Sequence, residues 1–124
     1  MRYLIDTNVI IVLLSNLDAN VVRRASECDD DDIVTSSIAF AETCYGSFQG
    51  RLPSLDVLGA FVEEVPVLDF DRDAAMTYAS LPFRRASFDR LIAAHALSRN
   101  LTLVTNNTRD FTDIPGLRVE NWAQ

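Results

Sequence analysis

A chain of 124 residues is one domain's worth of polypeptide, long enough to bury about two-thirds of its unfolded surface in a core without staples. Apolar residues at 48% and charged residues at 23% exclude a disordered chain. Eleven Lys+Arg against eighteen Asp+Glu leave a net charge of −7, so a nucleic-acid binder held by simple basic charge is not what the totals suggest. Every one of the eleven cations is Arg; the chain has no Lys.

Two cysteines, Cys28 and Cys44, are too few for a disulfide framework. With a single His, His95, they cannot make a Cys/His zinc site. The N-terminus reaches Asp6 too early for a signal peptide, and the apolar run Val9–Leu14 is too short to span a bilayer. The expectation is a soluble, cytoplasmic protein with free thiols and no membrane partner.

Tyr3-Leu4-Ile5 reads as a short buried strand ended by Asp6. Asp6-Thr7-Asn8 supplies cap chemistry for a helix over Val9–Leu14. Asp18 caps a second helix over Ala19–Cys28, with Val21, Val22 and Ala25 on one side. Asp29–Asp32 is a solvated loop. Ile33-Val34 is the second strand, and Ser36 or Ser37 caps a helix from Ile38 to about Phe48, with Ile38, Ala41, Tyr45 and Phe48 at helical spacing. Gly46 and Gly50 end it. Leu55–Glu64 is amphipathic and is broken by Pro66, after which Val67-Leu68 is a third strand. Asp71 or Asp73 opens a helix toward Ser80. Ser87 caps a helix over Phe88–Arg99. Leu101–Val104 is a fourth strand, Thr105–Asp110 a polar turn, and Leu117-Arg118-Val119 a last short strand. Strands and helices alternate with connections too long for hairpins. This predicts a single α/β domain over residues 1–124, a mostly parallel sheet of four or five strands between helical layers. Ligands of such sheets bind beyond the carboxyl ends of the strands, where Asp6 and the 106–110 turn fall.

Four acids stand apart from the solvated ones. Asp6 interrupts an apolar run; alone it is a capping aspartate. Glu42 lies on or beside the apolar stripe of its helix; alone it is a glutamate reaching outward past that stripe. Asp89 sits in the first turn of the Phe88–Arg99 helix, where the dipole favours an acid. Asp110 alone is a loop acid, and His95 alone is packing. Together they make a different case. Two carboxylates about 5 Å apart repel by roughly 3 kcal/mol at an effective dielectric near 20, so a cluster of four needs a counter-cation or raised pKa values. An all-oxygen site suits Mg²⁺ or Mn²⁺ rather than zinc, and such an ion activates water for phosphoryl displacement.

Four segments carry a family resemblance. They are Tyr3-Leu4-Ile5-Asp6-Thr7-Asn8, then Ser37-Ile38-Ala39-Phe40-Ala41-Glu42, then Phe88-Asp89-Arg90-Leu91-Ile92-Ala93-Ala94-His95-Ala96, and Leu103-Val104-Thr105-Asn106-Asn107-Thr108-Arg109-Asp110-Phe111. Continued by Pro115-Gly116-Leu117-Arg118-Val119-Glu120-Asn121-Trp122, the chain resembles the PIN-domain ribonucleases, specifically the VapC toxins of toxin–antitoxin pairs, nearly end to end. The resemblance implies a PIN-like three-layer α/β/α fold and endoribonuclease activity dependent on Mg²⁺ or Mn²⁺. It implies a homodimer, a larger toxin–antitoxin assembly, and neutralisation by a cognate VapB-type antitoxin. Asp6, Glu42 and Asp89 match the acidic metal-binding positions, and Asp110 the fourth acid. Many relatives carry an acid where this chain has Asn107, so Asp110 and Asn107 both stand as candidates to complete the site. Thr7 and Asn8 match supporting polar positions. Relatives usually carry a longer segment before the Asp89 helix, where here only residues 81–87 intervene.

Arg84, Arg85, Arg90 and Arg109 lie close in sequence to Asp89 and Asp110 and are expected to hold the RNA backbone. Two other aspartate-centred enzymes are excluded: dehalogenase-type phosphatases need a second Asp where this chain has Asn8, and both they and phospho-accepting receiver domains need a Lys. The alternative is a catalytically inert PIN-like scaffold that binds RNA or protein without cutting.

Overall fold

The computed structural model describes residues 1–82, 84 and 87–124. The short apolar runs form strands β1 (Tyr3–Ile5), β2 (Ile33–Ser36), β3 (Val67–Leu68), β4 (Thr102–Val104) and β5 (Val119–Glu120). They make one sheet in the order β3-β2-β1-β4-β5, and each neighbouring pair is parallel. Leu4, Ile5, Val34, Leu103 and Val104 are fully buried. A sheet covered on both faces has no solvent side, which is why these strands show no alternation. The last strand lies slightly later than the sequence suggested: Val119 pairs with Leu103 and Glu120 with Val104, while the Leu117 N–H turns back to the Ile114 carbonyl at 3.4 Å.

Six α-helices among the described residues flank the sheet: α1 (Thr7–Leu14), α2 (Ala19–Ser26), α3 (Ser37–Phe48), α4 (Leu55–Glu64), α5 (Arg72–Ser80) and α6 (Phe88–Ser98). No described helix is long and apolar enough to cross a membrane. Each begins at a side-chain cap, from Asp6, Asp18, Ser36, Ser54, Asp71 and Ser87 in turn. Where the sequence left two candidates, backbone conformation decides. Ser36 is extended (φ −91°, ψ 148°) and accepts the Ile38 N–H, as a cap must. Ser37 is already helical, and its hydroxyl accepts the Phe70 N–H at 3.0 Å instead.

The stripe on α3 departs from expectation. Tyr45 and Phe48 are 67% and 75% exposed, whereas Ala39 and Thr43 face the core. Small residues let α3 approach α1, α6 and the sheet closely. The larger side chains are left on the outer side, where Ile38, Ala41, Tyr45, Gly46 and Phe88 line a groove together with Glu42 and Arg51.

The strand order turns back on itself between β1 and β4. In open parallel sheets the crevice outside the strand ends at such a reversal is where ligands bind.

Candidate active site

Asp6 lies one residue beyond β1, at that crevice. Its N–H donates to the Val104 carbonyl at 3.1 Å, and its Oδ1 accepts the Val9 N–H at 3.0 Å. One residue therefore ends a strand, caps a helix and presents a carboxylate. Only 5% of it is exposed. Burial pushes the carboxyl up to about 6; the Thr105 hydroxyl and the Val9 N–H oppose the rise, and the charges of Asp89 and Glu42 add to it. Thr105 is itself buried, and its Oγ1 accepts the Asn107 N–H at 3.1 Å. Its part was not read from the sequence. The signal lay in strand register, since pairing Ile5 with Val104 sets Asp6 beside Thr105.

Glu42 reaches the crevice from the second turn of α3. The Thr7 hydroxyl donates to its Oε1 at 2.7 Å. Burial raises the Glu42 carboxyl, Thr7 lowers it, and the charge of Asp89 raises it further. Asp89, in the first turn of α6, is raised by burial and then by Asp110. The charges of Asp89 and Glu42 are thus felt at Asp6, that of Asp89 at Glu42, and that of Asp110 at Asp89. Glu42 and Asp89 line a cleft of about 520 Å³ together with Tyr78, Ser87, Phe88 and Leu91.

Asp110 is exposed and belongs to a 3₁₀ turn over Thr108–Phe111. Its Oδ2 accepts from the Asn107 side-chain amide, so the two candidates for the fourth position are bonded to each other. Asn8 is exposed on the first turn of α1.

The donor chemistry fits a hard divalent cation: every candidate is an oxygen, and the carboxylates carry charge that no Lys offsets. Among the described residues no three His, Cys, Asp or Glu side chains gather around a single point.

The arginines divide. Arg109 is exposed beside Asp110. Arg84 is half-exposed, its Nε 3.5 Å from Asp113. Arg85 lies outside the described residues. Arg90, expected at phosphate, has its guanidinium engaged within the protein. It is 5% exposed, and both its terminal nitrogens are bonded to the Asp113 carboxylate, at 2.9 and 3.1 Å. The inward face of α6 explains this: position 90 lies between the buried helix interior and the 108–113 segment, and an arginine there must find a partner.

His95 is core, as its lone reading suggested. It is fully buried, its Nδ1 is 2.7 Å from the Ser36 hydroxyl, and the Phe70 ring meets it edge-on at 5.5 Å. Burial holds its pKa below the ordinary value.

Comparison with known proteins places the fold in a family. The PIN domain family model matches residues 3–117. The chain is 35% identical over 132 residues to the tRNA(fMet)-specific endonuclease VapC of Shigella flexneri, covering 99% of each chain. Among solved structures it is similar to VapBC2 from Rickettsia felis bound to a DNA fragment from their promoter, with TM-score 0.86, 28% identity and coverage of 98% and 99%. DNA-bound VapBC from Salmonella typhimurium follows at TM-score 0.85, with 32% identity and 98% coverage of both. With the sheet order and these likenesses in agreement over nearly the whole length, the chain belongs to the PIN-domain family and, within it, to the VapC proteins.

Proposed function

We propose that this chain is a metal-dependent endoribonuclease, the toxin of a toxin–antitoxin pair, neutralised by a VapB-type antitoxin. The observation that carries the reading is that Glu42 and Asp89 line one cleft while Asp6 ends β1 beside it, each of the three carboxyls raised by burial and by charge from another acid. An inert scaffold has no use for such a cluster, since it only destabilises the fold unless a cation occupies it.

Asp6, Glu42 and Asp89 would hold Mg²⁺ or Mn²⁺, with Asp110 or Asn107 completing the set. When bound, such an ion makes water a nucleophile near neutral pH and stabilises the oxygens of an in-line phosphodiester displacement. Thr7 fixes Glu42 through Oε1, and Thr105 and the Val9 N–H keep Asp6 ionised against its burial. In the alternative arrangement, where Glu42 does not hold the ion, its carboxylate is the group we assign to take up the water's proton.

The relatives' name makes initiator tRNA the first substrate to test. The purified chain with Mn²⁺ or Mg²⁺ is expected to cut it at a defined position, to stop on chelation, and to be silenced by the antitoxin. Intact RNA at millimolar metal, with a folded protein, would favour the scaffold. We place the antitoxin in the groove lined by Ile38, Ala41, Tyr45, Gly46, Arg51 and Phe88, with an apolar segment along it and any Arg directed at Glu42, the acid of that lining. The reading includes a homodimer, a larger assembly with antitoxin, and a cytoplasmic location.

Arg84 and Arg109 remain the candidates for RNA phosphate among the described arginines, with Arg85 proposed from sequence alone. Arg84→Ala/Arg109→Ala is expected to weaken RNA binding and flatten its salt dependence by about one to two phosphate contacts. An unchanged slope in a binding titration would remove both from that role.

A further inference from the structure

Arg90 follows Asp89 directly in the first turn of α6, and its guanidinium joins three separate segments. It forms the two bonds to Asp113 given above. Nη1 also lies 3.4 Å from the Asp110 carbonyl, and Nη2 donates to the Pro82 carbonyl at 3.0 Å. Arg84 approaches the same Asp113 carboxylate at 3.5 Å. Ser87 holds the Arg90 N–H at 3.3 Å, so the start of α6 is fixed at both backbone and side chain.

The segment tied down in this way needs it. Thr108–Phe111 form only a short 3₁₀ turn, anchored in the core by Phe111 and, just beyond, Ile114. Asp110 itself is exposed, and its charge opposes that of Asp89. Two like charges on two different segments drift apart unless something holds the segments together. A planar fork of N–H donors, bidentate on one carboxylate and reaching two carbonyls, sets both distance and orientation. The pair is buried on the Arg90 side and part-exposed at Asp113; desolvation of the guanidinium offsets much of its gain in stability, and its fixed geometry points to positioning.

We infer that Arg90, locked on Asp113, is a positioning residue that holds the Asp110 turn against the Asp89 end of α6 and so sets the geometry of the acid site for its divalent cation. The inference rests on the metal-dependent nuclease reading. It replaces the phosphate role that sequence position suggested for this arginine.

The test uses the full chain with Arg90→Gln, Arg90→Lys and Asp113→Asn, and with Asp89→Asn as reference. Mn²⁺ affinity is read from the electron-paramagnetic signal of the free ion, cleavage under single turnover against Mn²⁺ concentration, and binding to RNA without metal against salt. Arg90→Gln is expected to weaken Mn²⁺ binding about 10–100-fold, with cleavage restored at high Mn²⁺ and the salt slope unchanged. Arg90→Lys keeps the charge but not the fork, and is expected to fall at least about tenfold short of wild type. Asp113→Asn leaves Arg90 in place and breaks only the bidentate pair; it serves as the deciding variant if Arg90→Gln does not fold. Wild-type Mn²⁺ affinity in the folded variants would overturn the positioning role, as would a salt slope reduced by about one, which would return Arg90 to the phosphate. If Asp89→Asn also binds Mn²⁺ and cuts like wild type, the nuclease-site reading itself falls and takes this role with it.

Discussion

Asp6→Asn is expected to abolish RNA cleavage and, without metal, to make the protein more stable. Both effects have the same source. The carboxyl sits near 6 because burial and neighbouring acids disfavour its charge. At neutral pH the folded chain carries a charge it resists, a penalty of about 3 kcal/mol at most. Asn removes that charge, keeps the shape, and is as good a cap for α1 as Asp. A net gain of about 1–3 kcal/mol is expected at pH 7.5 in chelator, a rise in Tm of about 4–10 °C for a chain this size. The sign follows from proton binding. Between about pH 4 and pH 6 the folded state holds the Asp6 proton more tightly than the unfolded chain, so wild-type stability falls as pH rises through this window and levels off above it. The advantage of Asp6→Asn should therefore be full above pH 6 and gone near pH 4. Cleavage should drop at least about 100-fold, on the scale seen when one charge-stabilising group is removed from an active site. Melting curves across pH and a gel assay check the two halves separately. A destabilised Asp6→Asn, or one that still cuts at wild-type rate, would contradict the assignment.

The second expectation joins metal to protons. If the acids hold a divalent ion, Mn²⁺ must raise Tm, because it binds the folded state alone; at a hundredfold excess over its dissociation constant the gain is about 2.7 kcal/mol. Binding requires ionised carboxylates. Asp6 at about 6, with Glu42 and Asp89 also raised, must release protons first. Apparent affinity should fall about tenfold per pH unit for each proton displaced. The shift produced by millimolar Mn²⁺ should be several degrees at pH 7.5, nearly absent at pH 5, and lost in Asp89→Asn. The cleavage rate should rise over the same interval. An equal Mn²⁺ shift at both pH values, or one that survives Asp89→Asn, would place the ion elsewhere.

Much of the architecture was legible because it rests on local chemistry. Apolar triplets bounded by polar turns became β1 and β4 within a residue, and Asp18 and Ser87 capped the helices expected of them. The α3 stripe misled because periodicity shows only that residues share a face, not which face the fold covers; Ala39 and Thr43, small enough for close packing, took the inside. Arg90 misled for a related reason. Proximity to Asp89 along the chain suggested a phosphate ligand, but the guanidinium points to Asp113, 23 positions away, and no local pattern marks such a pair.

By itself, then, the sequence determined the order of strands and helices, the excess of acid over base and the absence of any Lys, because these depend on residue type and near neighbours. Only the tertiary structure decided that Glu42 and Asp89 line one cleft, that Thr105 lies beside Asp6 in strand register, and that the Arg90 guanidinium is bound to Asp113. Those relations arise where β1 lies beside β4 and where α3 and α6 converge on the sheet, through contacts between segments that the chain keeps far apart until it folds.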